Sequence, residues 1–230
     1  MKRRLTETLR EKQTMLSDGA WGTNLQSKGL AAGECPELWN LDHPDRVQAV
    51  AEDFIAAGSQ LVKTNSFGGS RFKLAGHGLA DKTMEINEKA AACSRNAAGD
   101  EVYVLASMGP TGVILMMGEV SQDELFEAFA EQAAALERGG ADVILVETMS
   151  DLEEARLAVA AARQATQLEI ACTMTFERTV NGDYRTMMGV SPTDMVPVLR
   201  DAGASFLGSN CGNGGKQMIP IVHEIRAVDA

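Results

Sequence analysis

The chain has 230 residues, 45% of them hydrophobic and 23% charged, a composition that is ordinary for a soluble α/β protein with a large core. Its formal net charge of −11 argues against a nucleic-acid partner, because nucleic-acid-binding proteins carry basic surfaces. No apolar stretch is long enough to span a membrane, and the basic N-terminal segment lacks the apolar core of a secretory signal. We therefore predict a cytoplasmic protein whose N-terminus forms a short amphipathic helix.

Predicted strands and helices alternate along the chain. Strands are predicted near 14–18, 60–65, 102–107, 142–147, 168–174 and 204–209. Helices are predicted near 44–57, 81–98, 121–138, 151–165, 192–202 and 214–226. Capping-box spacing at Ser121 and Glu124, and at Ser150 and Glu153, marks two of the helix starts. The alternation predicts βαβ units in one parallel sheet, and no linker divides residues 1–230, so we predict a single domain.

Two architectures fit this alternation, an open doubly wound sheet and a (β/α)8 TIM-type barrel. No GxGxxG or Walker sequence follows the first strand, which disfavours the nucleotide-binding open sheets. Polar residues follow successive strands, as barrel active sites require: Asp18, Asn65, Ser107, Glu147, Asn210 and Cys211. A complete barrel usually needs about 250 residues. We therefore predict an α/β barrel that is truncated after about six βα units, with its C-terminal units missing.

Two acidic residues are candidates for ligand binding. Asp18 lies in a turn after the first strand, where it could contact a ligand or simply cap the turn. Glu147 ends a strongly apolar strand, so its carboxylate is expected to need a cationic partner. A substrate ammonium group could be that partner, and so could the side chain of Lys63.

The glycine-rich segment 208–216 joins the sixth strand to the next helix and allows three interpretations. It could be a plain tight turn, a phosphate-binding loop at a helix N-terminus, or a loop that presents Cys211 as a thiolate metal ligand. The remaining cysteines, Cys35, Cys93 and Cys172, are expected to be buried hydrophobic residues, because no CxxC pair occurs.

Aromatic and methionine residues near the predicted barrel mouth are weaker candidates. Trp21 and Trp39 could enclose a quaternary ammonium group by cation–π attraction, although packing is the simpler role. The methionines of 116–117 and 186–190 are expected to fill loops and core.

Taken in order, several motifs resemble the homocysteine S-methyltransferase family. The matching segments are DGAWGTNLQ (18–26), PELWN (36–40), TNSFGGSRFKL (64–74), SMGPTG (107–112), ETMSDLEEA (147–155), TMMGVSP (186–192) and SNCGNGG (209–215). The resemblance implies a (β/α)8 barrel enzyme that uses Zn2+ to transfer a methyl group to homocysteine sulfur and so makes methionine.

The resemblance also implies roles for four residues. Cys211 matches the first zinc-binding cysteine of the family, and Asn210 lies beside it. Asp18 and Glu147 match acidic residues that hold homocysteine, with Glu147 meeting its amino group. Family members take two further zinc ligands from an adjacent cysteine pair after the eighth strand. This sequence contains no adjacent cysteines, so we expect it to be incomplete and do not expect zinc-dependent activity from it alone.

Three functional hypotheses follow. The first is homocysteine methylation with betaine or a similar methylated ammonium compound as the donor, which the segments 36–40 and 186–192 favour. The alternative within this class is methylcobalamin, which would require a corrinoid protein as partner. The others are a non-catalytic barrel fragment without zinc and a phosphate-binding barrel enzyme. Exposed sheet edges would favour association into a homo-oligomer.

Overall fold

The computed structural model describes residues 4–229. The α-helices are α1 (Leu5–Lys12), α2 (Trp21–Ser27), α3 (Trp39–Asp42), α4 (Pro44–Ala56), α5 (Arg71–Ala75), α6 (Thr83–Ala98), α7 (Gln122–Arg138), α8 (Leu152–Ala165), α9 (Pro192–Ala202) and α10 (Gly215–Val228). The strands are β1 (Leu61–Lys63), β2 (Tyr103–Met108), β3 (Val143–Met149), β4 (Glu169–Met174), β5 (Glu177–Arg178), β6 (Tyr184–Arg185) and β7 (Phe206–Ser209). Short 3-10 helices cover Pro36–Leu38, Ala80–Lys82 and Leu115–Met117. Within residues 4–229, every helix is too short or too polar to cross a lipid bilayer.

The main sheet is parallel and follows chain order, β1-β2-β3-β4-β7. Each strand lies beside the next one along the chain, so the order never reverses as it would in a doubly wound sheet. Right-handed crossovers in one direction place all the connecting helices on one face of the sheet. Helices α4, α6, α7, α8, α9 and α10 accordingly pack against one another in that sequence. This arrangement confirms the predicted α/β barrel architecture and excludes the doubly wound alternative.

The prediction of a first strand at 14–18 was wrong. This segment makes only an isolated parallel bridge between Ser17 and Leu61. It lies at the edge of the sheet, and the side chain of Leu16 is 59% exposed, so burial gives little reason for a longer strand. Backbone contacts nevertheless hold it beside β1, since Leu61 N–H donates to the Leu16 carbonyl at 3.2 Å.

Two further details differ from the sequence-based expectations. Helix α8 is capped by Asp151, which accepts from the N–H groups of Glu153 and Glu154, instead of by Ser150. The short antiparallel hairpin of β5 and β6 was not predicted, because two-residue strands carry no readable periodicity. The capping box of Ser121 and Glu124 at the start of α7 is confirmed.

The two faces of the main sheet have different coverings. Outward side chains such as Val62, Val104 and Ile144 are fully buried beneath the helices in the largest core cluster. The inner face is covered at its N-terminal end by α1, whose Leu5 packs against strand residues including Leu61, Tyr103, Leu105 and Val143. Glu169 holds this helix in place by accepting from Leu5 N–H at 2.6 Å.

The inner face changes from apolar to polar along the strands. Side chains alternate between faces with a period of two, so the inner set continues from Leu105 to Ser107 in β2 and from Leu145 to Glu147 in β3. In β1 it ends at Lys63, which follows Leu61 on the same face. The C-terminal ends of the strands therefore present polar groups to one end of the sheet, where barrel enzymes build their active sites.

Candidate functional site

A cavity of about 300 Å³ opens at this polar end of the sheet. Its wall combines the strand ends with helix α2, the 3-10 helix at Pro36–Leu38 and the loop before α5. The lining residues are Trp21, Gly22, Leu25, Pro36, Glu37, Lys63, Thr64, Asn65, Ser66, Phe67, Ser107, Glu147, Thr148 and Cys211. The volume is at the lower end of the range for small-ligand sites, which suits a ligand the size of an amino acid.

Glu147 is a buried acidic group in the wall of this cavity, with only 8% of its surface exposed. Its Oε1 accepts a hydrogen bond from Ser107 Oγ at 2.5 Å. Among the described residues, its Oε2 has only longer contacts, 3.5 Å to Asn210 Nδ2 and 3.9 Å to Lys63 Nζ. A substrate ammonium group and the side chain of Lys63 thus both remain candidate partners for Glu147. Lys63 is nearby but too distant for a charge-assisted hydrogen bond.

Asn210 connects the ends of β3, β4 and β7. Its Oδ1 accepts from Thr148 N–H at 3.0 Å and from Thr173 Oγ1 at 2.8 Å. Its Nδ2 donates to Thr148 Oγ1 at 2.7 Å and lies 3.3 Å from Cys211 Sγ. The amide therefore fixes the C-terminal end of β3 relative to the loop that carries Cys211.

Cys211 is solvent-exposed and lines the cavity. Its backbone has φ of 58°, and that of Thr148, whose Oγ1 is 3.8 Å from the cysteine sulfur, has φ of 65°. This left-handed conformation is unfavourable for residues other than glycine, and especially for a β-branched threonine. Strained backbone of this kind persists where neighbouring contacts impose it, often at functional sites. Here Asn210 supplies such contacts.

Asp18 lies outside the cavity wall, although it supports two of the lining residues. Its Oδ2 accepts from Trp21 Nε1 at 2.6 Å and from Lys63 N–H at 2.7 Å. Its Oδ1 accepts from Ser17 Oγ at 3.1 Å. Within the described part of the chain, the partners of the Asp18 carboxylate are thus the Trp21 ring, the backbone of β1 and a neighbouring hydroxyl, so it positions Trp21 and the end of β1 instead of capping its own turn.

The aromatic and methionine candidates differ in position and exposure. Trp21 lines the cavity, whereas Trp39 is buried in a core cluster with the Arg46 guanidinium 5.3 Å from its ring centre. Trp39 is therefore a packing residue. The methionines of 116–117 and 186–190 were expected to fill loops and core, and Met116 and Met187 lie in connecting segments, where they are 83% and 82% exposed and fill no core.

Three contributors to the cavity were missed from the sequence as parts of a site. Lys63 was considered only as a partner for Glu147, and period-two alternation on β1 could have identified it as a lining residue. Glu37 is buried, lines the cavity and accepts from Gly68 N–H at 2.7 Å. Thr148 had no sequence signal, because its left-handed backbone depends on the Asn210 contacts.

The described residues do not by themselves fit a zinc site. A catalytic zinc ion typically takes three protein ligands. Within residues 4–229, no three His, Cys, Asp or Glu side chains are grouped so that they could hold a metal ion. Cys211 offers one thiolate. Cys35, Cys93 and Cys172 are buried as expected, and burial raises the pKa of each thiol, that of Cys172 to about 12.

Comparisons with known proteins agree with this geometry. The family model described as homocysteine S-methyltransferase matches residues 15–230. Methionine synthases of Mycobacterium tuberculosis and Mycobacterium leprae are 30% and 31% identical over 90% and 93% of this chain, which spans only 18% and 19% of their lengths.

A solved structure supports the fold independently. The metallated form of the homocysteine methyltransferase MmuM from Escherichia coli superposes with a TM-score of 0.80, at 22% identity, covering 96% of this chain and 82% of that protein. The family match over nearly the whole chain, together with the barrel-type sheet and the cavity around Glu147 and Cys211, leads to one conclusion. This chain belongs to the homocysteine S-methyltransferase family.

Proposed function

We propose that this chain binds L-homocysteine and positions its sulfur for methylation to methionine, as the homocysteine-binding part of a methyltransferase. The observation that carries the proposal is that the buried carboxylate of Glu147 and the exposed thiol of Cys211 line one cavity of about 300 Å³. Homocysteine has an ammonium group at one end and a thiol at the other, so it could meet both groups at once.

Each site residue identified from the sequence has a specific role in this proposal. Glu147 binds the substrate ammonium through Oε2, the oxygen that has only long contacts within the described residues. Asn210 holds the end of β3, which carries Glu147, next to the loop that carries Cys211. Asp18 contributes to substrate binding indirectly, because it fixes Trp21 and Lys63 in the cavity wall.

Zn2+ is the proposed cofactor, with Cys211 as one ligand and the others supplied from outside residues 4–229. Support comes from the family and from the related Escherichia coli enzyme, which was solved in a metallated form. A thiol has a pKa of about 8.5 and is mostly protonated at neutral pH, whereas a metal-bound thiol is deprotonated.

Betaine or a similar methylated compound is our proposed donor, and methylcobalamin carried by a corrinoid protein is the alternative. Trp21 supports the first, because an aromatic ring in the cavity wall can attract a quaternary ammonium group. The similarity to two methionine synthases supports the second. Methionine formation from homocysteine in the complete enzyme, with each donor supplied separately, would distinguish them. A cytoplasmic location and a homo-oligomeric state stay predictions.

Binding measurements on the reduced chain test the proposal. We expect wild type to bind L-homocysteine more tightly than 4-mercaptobutanoic acid, which lacks the amino group, and Glu147→Gln to lose most of this preference. Glu127→Gln, an exposed change on α7, is the control and should keep it. The proposal fails if wild type binds neither compound, or if Glu147→Gln leaves the preference intact.

A further inference from the structure

The side chain of Lys63 extends into the cavity from a backbone that is held by hydrogen bonds. It is the last residue of β1, where Val62 faces the helices and is fully buried while Lys63 lines the cavity. Its N–H donates to Asp18 Oδ2 at 2.7 Å, and its carbonyl accepts from Ser94 Oγ at 2.8 Å. Both peptide groups next to the lysine are therefore held, and the position at which its side chain enters the cavity is determined.

In the part of the chain that the structure describes, the ammonium group of Lys63 has no close partner. Glu147 Oε2, at 3.9 Å, is its nearest carboxylate oxygen, and within residues 4–229 Lys63 Nζ makes no hydrogen bond. Ammonium–carboxylate hydrogen bonds are usually about 2.7–2.9 Å long. The side chains of Lys63 and Glu147 are only 23% and 11% exposed, so bulk water solvates their charges poorly. Two opposite charges thus face one another in the cavity without closing a direct bond.

We infer that Lys63 and Glu147 together recognise the zwitterionic end of an α-amino acid, with Lys63 binding the carboxylate and Glu147 the ammonium group. An α-amino acid carries an ammonium group and a carboxylate on the same carbon atom, so it offers Glu147 and Lys63 a partner of opposite charge each. An amino acid bound beside Lys63 and Glu147 gives each of these charges a close partner, while the lysine and the glutamate stay attracted to each other. This inference rests on the proposed function and adds a specificity-determining residue to it.

A simpler role for Lys63 makes a different prediction. If the lysine only neutralises Glu147, its ammonium group competes with any ammonium ligand. Its removal would then strengthen the binding of every amino-thiol, with or without a carboxylate. If Lys63 binds the carboxylate, its removal weakens the binding of amino acids and does not weaken that of amines. The two roles therefore differ in the sign of the effect on homocysteine.

The experiment measures the dissociation constants of L-homocysteine and 3-aminopropane-1-thiol, which is homocysteine without its carboxylate. Calorimetry on the full reduced chain at pH 7 compares wild type, Lys63→Met, Lys63→Arg and Lys89→Met. Lys89 is exposed on α6, so its variant changes the net charge equally without touching the cavity. Thermal unfolding of each variant establishes that it is folded.

We expect Lys63→Met to bind L-homocysteine about tenfold to a hundredfold more weakly, the effect of losing one hydrogen bond between charged groups. Its affinity for 3-aminopropane-1-thiol should be unchanged or higher. Lys63→Arg should keep most of the discrimination, and Lys89→Met all of it. Equal changes for the two ligands, or tighter homocysteine binding by Lys63→Met, would overturn the inference. Failure of the proposed function looks different, because wild type would then not bind homocysteine or Glu147→Gln would have no effect.

Discussion

Cys211 differs from the other three cysteines in exposure and in chemical surroundings. Burial raises the pKa of the Cys35 thiol, with the Glu37 carboxylate as a second cause, and it raises the pKa of Cys93. The pKa of the fully buried Cys172 is raised to about 12. A raised pKa leaves less reactive thiolate at a given pH. Burial and the raised pKa values should therefore both slow the reactions of Cys35, Cys93 and Cys172, whereas Cys211 is exposed.

We predict that a thiol reagent such as dithionitrobenzoate labels one cysteine rapidly in the folded chain at pH 8. The other three should react only on unfolding, because their thiols are buried and protonated. Absorbance at the thionitrobenzoate maximum follows the reaction, and Cys211→Ser should remove the fast phase while leaving the slow one. A second fast thiol, or a fast phase that survives in Cys211→Ser, would contradict the assignment.

Side-chain direction at the site was more predictable than backbone conformation. Glu147 and Cys211 were identified because polar residues that follow apolar strands collect at one end of a parallel sheet. The left-handed backbones of Thr148 and Cys211 were not predicted, since neither residue type favours them. They depend on Asn210, which is distant from Thr148 in the sequence and becomes its neighbour only when β3, β4 and β7 assemble.

At the scale of elements, α1 is a structural part of the sheet's inner face. Its buried Leu5 packs among inward-facing strand residues, and Glu169 accepts from its first N–H groups. A carboxylate at a helix N-terminus also interacts favourably with the helix dipole. The sequence predicted this helix from its amphipathic pattern, but not its position, because the pattern does not say which surface the apolar side contacts.

We predict that Leu5→Ala lowers the free energy of unfolding by about 2–3 kcal/mol, as expected for a truncated buried leucine. Urea unfolding followed by circular dichroism measures the change. Leu16→Ala is a matched control, because Leu16 is close in sequence but 59% exposed, and its replacement should cost less than about 0.5 kcal/mol. Similar effects of the two substitutions would show that α1 does not pack as described.

The start of α8 contains two adjacent glutamates whose pKa values are shifted in opposite directions. Burial raises the pKa of Glu154, although hydrogen bonds from Thr111 N–H and Oγ1 partly oppose this. A hydrogen bond from Arg156 lowers the pKa of Glu153. A raised pKa in the folded state means that ionised Glu154 destabilises the fold, whereas a lowered pKa means that ionised Glu153 stabilises it.

We predict that Glu154→Gln is more stable than wild type at pH 7.5 and that this advantage disappears as the pH falls below 4.5, the ordinary pKa of the group. The glutamine oxygen can still accept from Thr111, so the substitution removes mainly the buried charge. Glu153→Gln should behave oppositely, losing a small stabilisation at pH 7.5 that the wild type itself loses as the pH falls. Urea midpoints across this pH range test both, and a constant difference for Glu154→Gln would refute the argument.

At the scale of the whole molecule, the order of strands was predictable because each βαβ unit consists of consecutive residues and can be recognised from a local sequence pattern. The recurring helix, glycine and apolar strand at 138–148 and 201–210 correspond to α7 with β3 and to α9 with β7. Whether the site is complete was harder to predict from the sequence, because a complete site depends on groups that are distant in sequence. Within residues 4–229, β7 pairs with β4 alone, which leaves one edge free to pair with another strand.

We predict that this chain, loaded with zinc and then dialysed against metal-free buffer, retains well below one zinc ion per molecule. The reason is geometric: a tightly held catalytic zinc takes about three protein ligands, and among the described residues Cys211 has no companion ligands arranged to complete the set. Elemental analysis of wild type and Cys211→Ser gives the measurement. Retention of one zinc per chain that Cys211→Ser abolishes would show that other side chains of this chain complete the site. A low value in this chain, with full retention in a longer polypeptide that adds an adjacent cysteine pair, would place the missing ligands outside residues 4–229.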